Sequence, residues 1–312
     1  MSSGSRQDST GDAVPERKPV SITRLAEMKE AGEPIVMVTA YDFPSAQVAE
    51  EVGVDVVLVG DSAANCVLGY DSTVPVGMVE MTMLASAVRR GLRTPLLVGD
   101  LPFGSYEASD ELAIASAQAM IKQAGCDAVK LEGGGASVDR AKAIAGAGIP
   151  VMGHVGLTPQ TATALGGLKA QGRTAEKAIR VAEDAIALDQ AGCFAIVIEA
   201  VPQAVSEMIV KRVNAPTIGI GAGNSTAGQV LVLHDLTGIN DGRMAKFVKR
   251  YADVRSEMRR GLAAYSDEVR SGAFPGPEHV YSVEPSELDG LRQRLNREDI
   301  ESDYSWDWEP LA

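Results

Sequence analysis

Thr174–Gln190 reads TAEKAIRVAEDAIALDQ, and after the turn Ala191–Phe194 the segment Ala195–Ile198 reads AIVI. The first stretch is Ala-rich with apolar side chains at helical spacing. The second is short, β-branched and apolar throughout, as in a strand covered on both faces of a parallel sheet. Working outward, the same alternation fills the chain from Val20 to about Val280. Strands are expected at Ile35–Thr39, Val56–Val59, Leu96–Val98, Ala128–Leu131, Ile149–Met152, Ala195–Ile198, Thr217–Ile220 and Val230–Leu233, with further helices such as Pro44–Glu51 and Glu111–Gln123. Eight strands in about 260 residues favour a closed (β/α)8 TIM barrel over an open doubly wound sheet. Ser21–Ala31 reads as an extra N-terminal helix with Ser21 as its N-cap.

The expected layout is a disordered tail over residues 1–18, a barrel domain over 19–282 and an acidic C-terminal extension over 283–312. That extension carries nine acidic residues against three arginines. Ser286–Leu295 is expected to form a short amphipathic helix. Trp306 and Trp308, the two tryptophans of the chain, are its candidates for docking on the barrel.

Composition narrows the function. At 312 residues, 45% hydrophobic and 23% charged, the chain has ample material for a core. A formal net charge of −13 argues against wrapping nucleic acid, whose phosphates need clustered Lys and Arg. No apolar run approaches the roughly 18 residues of a membrane span, and the N-terminus has no apolar signal core, so a cytoplasmic protein is expected. Cys66, Cys126 and Cys193 lie far apart and are odd in number, which reads as reduced, mostly buried thiols.

In such a barrel, chemistry belongs at the C-terminal ends of the strands. There the sequence places Asp61-Ser62 after VVLVG, Asp100 after LLVG, His154 after IPVMG and Glu199 after AIVI. Lys130 and Glu132 lie two apart on the fourth strand and so share a face. Each has a structural reading: Asp61 or Asp100 as a helix cap, Lys130–Glu132 as a mutual ion pair, His154 as a hydrogen-bonded core histidine. Together they weaken those readings, because ionisable groups are rarely buried unless paired or bound to a metal. The oxygens of Asp61, Asp100 and Glu132 suit a hard cation such as Mg²⁺, and no zinc-ligand spacing is present. Gly219-Ile-Gly-Ala-Gly223 lacks the dinucleotide-binding spacing; it either lets a substrate approach the backbone or turns the chain out of strand seven. Pro102–Tyr106 fits a mobile lid and an ordinary turn equally.

The motifs Thr39-Ala-Tyr-Asp42, Gly60-Asp-Ser62, Asp100-Leu-Pro-Phe-Gly-Ser-Tyr106, Val129-Lys-Leu-Glu-Gly-Gly134 and Gly148-Ile-Pro-Val-Met-Gly-His-Val-Gly-Leu-Thr-Pro-Gln160 resemble ketopantoate hydroxymethyltransferases. So do Leu165-Gly-Gly167, Gln171-Gly-Arg173, Gly192–Glu199, Pro216–Gly223 and Gly228-Gln-Val-Leu-Val232, in the family's order. The resemblance implies a barrel enzyme of pantothenate biosynthesis that moves a hydroxymethyl unit from 5,10-methylenetetrahydrofolate to 3-methyl-2-oxobutanoate, giving 2-dehydropantoate. Carried over position by position, it makes Asp61, Asp100 and Glu132 the ligands of one Mg²⁺. Asp61, Ser62, Asp100 and Lys130 would contact the keto acid, with His154 as a supporting polar group, and Glu199 would accept the proton. The family's habit also implies a homo-oligomer, a decamer of two rings.

Two positions depart from the family pattern: Leu84 stands where a His is usual, and Ala227 where an Asp precedes Gly-Gln. Two rival readings are a metal-dependent lyase or mutase acting on 2-oxo acids and a catalytically dead barrel. The first shares the strand-end acids, but the long Gly153–Gln160 run favours the transferase, and the second predicts losses among Asp61, Asp100, Lys130, Glu132 and Glu199, none of which is lost.

Overall fold

The computed structural model of the protein describes residues 17–242 and 244–295. Nearly all of the expected N-terminal tail, together with Trp306 and Trp308, lies outside the described residues. Eight strands, β1 (Ile35–Thr39), β2 (Val56–Val59), β3 (Leu96–Asp100), β4 (Ala128–Glu132), β5 (Val151–Gly156), β6 (Ala195–Glu199), β7 (Thr217–Ile220) and β8 (Gly228–Leu231), pair in sequence order. All neighbours are parallel and β8 returns to β1, so the sheet closes as the barrel expected from the sequence. At the closing seam Gly228 lies against Ile35, and a Cβ there would meet the Ile35 carbonyl oxygen at 2.4 Å.

Before β1 runs α1 (Ile22–Ala31), whose Ser21 Oγ accepts the Arg24 N–H, as its N-cap assignment requires. Then come α2 (Phe43–Val52), the single turn α3 (Ala63–Cys66), α4 (Met78–Gly91), α5 (Asp110–Lys122), α6 (Ala136–Gly146), α7 (Ala175–Gln190), α8 (Gln203–Val210) and the short α9 (Leu233–Leu236).

The side-chain alternation of the strands sorts the core into two layers. Ile35, Met37, Val56, Leu58, Leu96, Val98, Ala128, Met152, Ala195, Val197, Ile218 and Val230 fill the lumen, where Leu25 and Met28 of α1 join them. Val57, Leu97, Val129, Leu131, Val151, Ile196 and Ile198 face outward under the helices, against Ala46, Met81, Ala117, Met120, Ile144, Leu188 and Ile209.

Strand five differs from its expected span. It starts two residues later than Ile149 and runs through His154 to Gly156. Pro150 has no N–H for the ladder and only accepts, from Val129. Beyond it the Gly-His-Val-Gly stretch pairs on both sides, His154 opposite Glu132 and Val197. Strands three and four likewise extend to include Asp100 and Glu132.

The chain divides into two compact units, the second beginning at Ser256. The second unit holds most of α10 (Val254–Ser271), a 3₁₀ turn at Pro277–His279 and α11 (Pro285–Leu295), the helix expected over Ser286–Leu295. Within it Phe274 packs between the rings of Tyr265 and His279.

Candidate active site

The period of two that fills the lumen with apolar side chains also carries its upper layer. On β3 Val98 is followed two residues on by Asp100; on β4 Ala128 is followed by Lys130 and Glu132. On β5 Met152 precedes His154, and on β6 Ala195 and Val197 precede Glu199. Apolar residues fill the lower part of the lumen and ionisable ones its C-terminal mouth. Asp61 and Ser62 enter the same mouth from the end of β2. The structure therefore brings together all seven residues that the sequence singles out. Asp61, Asp100, Lys130, Glu132 and His154 are buried, and the Glu199 side chain is 16% exposed.

Their contacts separate the structural readings from one another. Neither aspartate caps a helix: α3 has no side-chain cap, and α5 is capped by Ser109. Instead the Asp61 N–H donates to Asp100 Oδ2 at 2.9 Å. Lys130 Nζ lies 2.8 Å from Asp100 Oδ1 and 3.9 Å from Glu132 Oε1, so Asp100 is its nearer partner. His154 bridges two acids, with Nδ1 at 3.2 Å from Glu132 Oε1 and Nε2 at 3.2 Å from Glu199 Oε2. Ser62 Oγ sits 2.8 Å from the Tyr41 hydroxyl.

The electrostatics follow from crowding four carboxylates around two cationic groups in a largely buried setting. Burial, reinforced by Glu132 and Asp100, drives the Asp61 carboxyl well above its usual range. Burial also opposes charge on Glu132, but His154, Lys130 and the Gln160 N–H outweigh it and hold that carboxyl low. For His154, burial and Lys130 oppose protonation; Glu132 and the contact with Glu199 prevail and lift it to about 9. Lys130 stays charged because Asp100, Glu132 and Asp61 overcome its burial.

An excess of buried carboxylate oxygen fits a hard cation in kind. Among the described residues, however, no three His, Cys, Asp or Glu side chains stand as a ready-made metal cage. Magnesium suits such a site, because it takes one or two carboxylates and completes its shell with ligand oxygens and water.

A family model described as ketopantoate hydroxymethyltransferase matches residues 19–277. The chain belongs to the ketopantoate hydroxymethyltransferase family. It is 51% identical to the 3-methyl-2-oxobutanoate hydroxymethyltransferase of Moorella thermoacetica, over 85% of this chain and 99% of that one. To the mitochondrial 3-methyl-2-oxobutanoate hydroxymethyltransferase 1 of Arabidopsis thaliana it is 48% identical, over 89% of this chain and 82% of the relative. The protein is accordingly an enzyme of the transferase class. Among solved structures, phosphonopyruvate hydrolase superposes with a TM-score of 0.56 at 13% identity, covering 91% of this chain and 98% of that one. 2,3-Dimethylmalate lyase does so at 0.53 and 16%, covering 88% and 96%. At that identity the two share the fold, and their chemistry does not transfer.

Set in this ketopantoate hydroxymethyltransferase barrel, two polar residues complete the site without having been singled out as site residues: Tyr106 and Gln160, both buried. Neither sits at a strand end, so the alternation of strand residues gives no signal for them. Gln160 follows Pro159 in a 3₁₀ turn directly after β5, and only that placement hints at an inward side chain. In Pro102–Tyr106 the chain makes a turn whose Tyr106 ring is buried and whose Ser105 carbonyl accepts the Ser116 Oγ, while Phe103 is exposed. In the Gly219–Gly223 run, Gly221 and Gly223 take left-handed backbone and lead the chain out of β7. Leu84, at the departure from the family pattern, is buried in the layer between barrel and helices.

Proposed function

We propose that the protein transfers a hydroxymethyl unit from 5,10-methylenetetrahydrofolate to 3-methyl-2-oxobutanoate, giving 2-dehydropantoate on the route to pantothenate. The observation that carries this reading is the mouth itself: one partly exposed acid, Glu199, stands beside a buried cluster of three carboxylates with Lys130 and His154, inside a chain of this family. Asp61, Asp100 and Glu132 are the residues that would hold Mg²⁺. When bound there, the cation supplies Lewis acidity toward the oxygens of a 2-oxo acid.

The residues of the chain then divide the work. Lys130, held charged by its acidic neighbours, sets positive charge where the keto oxygen becomes an enolate oxygen. Glu199 accepts the C3 proton of the keto acid. His154, in contact with Glu199 Oε2, keeps that carboxylate turned toward the mouth. Ser62, beside Asp100 and fixed by Tyr41, offers a hydroxyl to the substrate. The enolate carbon forms its new bond to the folate methylene carbon, both carbon–nitrogen bonds of that methylene bridge break, water supplies the hydroxyl oxygen, and the C3 proton and one water proton end on the two folate nitrogens.

We further propose that several copies assemble and that the enzyme works in a reducing compartment such as the cytoplasm. Cys66, Cys126 and Cys193 are free, and burial pushes the Cys126 and Cys193 thiols up to about 12, which fits the second point. No helix among the described residues is long and apolar enough to cross a membrane.

The test is direct. Purified protein given 3-methyl-2-oxobutanoate, 5,10-methylenetetrahydrofolate and Mg²⁺ is expected to form 2-dehydropantoate, and EDTA to abolish it. Cleavage or rearrangement of the keto acid without folate would instead favour the lyase or mutase reading. Turnover undiminished in EDTA would remove the metal from the scheme.

A further inference from the structure

Gln160 is bound on every polar atom that its side chain offers. Its Nε2 donates to Asp61 Oδ2 and to the Leu101 carbonyl, both at 3.0 Å. Its Oε1 accepts the Tyr106 hydroxyl at 2.7 Å, and its backbone N–H donates to Glu132 Oε2 at 3.1 Å. One residue thus grips two carboxylates that come from different strands, Asp61 after β2 and Glu132 at the end of β4.

The direction of each bond is fixed. Leu101 O and Asp61 Oδ2 are acceptors, so the NH₂ end of the amide must face them. Tyr106 then donates to Oε1, while its own oxygen accepts the Glu132 N–H at 3.3 Å. With the ring buried and the hydroxyl shared between Gln160 and the β4 backbone, flipping the amide would break three bonds between buried groups. Such a fully satisfied buried network holds its members in one arrangement.

We propose that Gln160, held by Tyr106, is a positioning residue that sets the spacing and orientation of the Asp61 and Glu132 carboxylates for a divalent cation. The inference rests on the proposed reading of these acids as cation ligands. Asp61 Oδ2 and Glu132 Oε2 are taken up by Gln160, which restricts how each carboxylate can turn toward the mouth.

The test replaces Gln160 by Met, which keeps the length of the side chain and removes its hydrogen bonds, and Tyr106 by Phe, which deletes one oxygen. Mn²⁺ is titrated into each protein without substrate, and free Mn²⁺ is read by electron paramagnetic resonance. Loss of a hydrogen-bonded supporter of a metal ligand costs about 10–100-fold in affinity. Gln160→Met is expected to weaken Mn²⁺ binding in that range and Tyr106→Phe to weaken it less, with turnover recovering as cation is raised. Folded variants that bind Mn²⁺ within twofold of wild type, or whose turnover stays low at saturating cation with unchanged affinity, overturn the inference. If Gln160→Met does not fold, Tyr106→Phe decides alone by the same criterion. Wild-type protein that takes up no Mn²⁺ defeats the cation reading of the acids itself, a different result from equal binding by all three proteins.

Discussion

Glu199 is the acid of the mouth that retains contact with solvent, and its one close partner among the site residues is His154. A carboxylate so placed can exchange its proton with water after taking it from a substrate, which the fully buried Asp61, Asp100 and Glu132 cannot do as readily. The proton-transfer half of the reaction is therefore expected to run without the one-carbon donor. With 3-methyl-2-oxobutanoate and Mg²⁺ in D₂O, wild type should exchange the C3 hydrogen for deuterium, followed by proton NMR. Glu199→Gln keeps the shape and loses the base, and the exchange should slow by about 10²–10⁴-fold, the range of general-base catalysis. A Gln variant exchanging at the wild-type rate would transfer the role to another group.

At the scale of elements, the barrel depends on loops that close around acidic side chains. Glu50, near the end of α2, accepts the backbone N–H groups of Arg93 and Thr94 at 2.7 and 2.9 Å and the Thr94 hydroxyl at 2.7 Å, tying α2 to the turn that enters β3. Partial burial works against its charge, but these three bonds win and hold the carboxyl below its ordinary 4.5. A depressed carboxyl stabilises the fold above its unfolded pKa, and that stabilisation is lost as pH falls through the lower folded value. Glu50→Gln should therefore cost about 1 kcal/mol at neutral pH, the scale of a partly exposed charged hydrogen bond. The gap in unfolding midpoint between the two proteins should shrink as the pH falls below 4.5, and a gap that persists unchanged in acid would contradict the assignment.

Elements are also where the sequence is most and least readable. The eight strands are legible because runs such as VVLV and AIVI admit no other covered arrangement at that length. Their inward-facing ends are legible too, since a period of two leads from Val98 to Asp100 and from Val197 to Glu199. The sequence pattern puts His154 at the end of strand five, whereas the strand itself runs from Val151 through His154 to Gly156. The Gly-His-Val-Gly stretch is too poor in apolar side chains to read as β, and only its pairing with Glu132 and Val197 makes it so. Tyr106 and Gln160 were not legible as site residues. Turn residues have no periodicity, and their inward direction is set by the neighbours they bind.

For the whole molecule, the proposed assembly of several copies fits the apolar side chains that the described residues leave exposed. In the first unit Val79 and Met83 of α4 are 82% and 60% exposed. In the second unit α10 has no buried residue, and its Met258, Leu262, Tyr265 and Val269 recur at spacings of four, three and four, one stripe on a helix rich in charged residues. Covering a half-exposed side chain of this kind is worth about 1 kcal/mol, so a four-residue stripe supplies roughly 4 kcal/mol. Association costs about 4–15 kcal/mol in lost freedom, which neither patch offsets alone. A chain carrying a net charge of −13 gains nothing from bringing copies together except through such contacts. Both patches are then needed, and disrupting either should reduce the assembly. Light scattering is expected to show wild type well above the 32.7 kDa of one chain. The pair Val79→Asp and Met83→Asp, or Leu262→Asp by itself, should shift it to smaller species while the circular dichroism of the barrel persists. Wild type running as a 32.7 kDa monomer at micromolar concentration, or both variants keeping the full assembly, would show that these surfaces serve something other than a second copy of the chain.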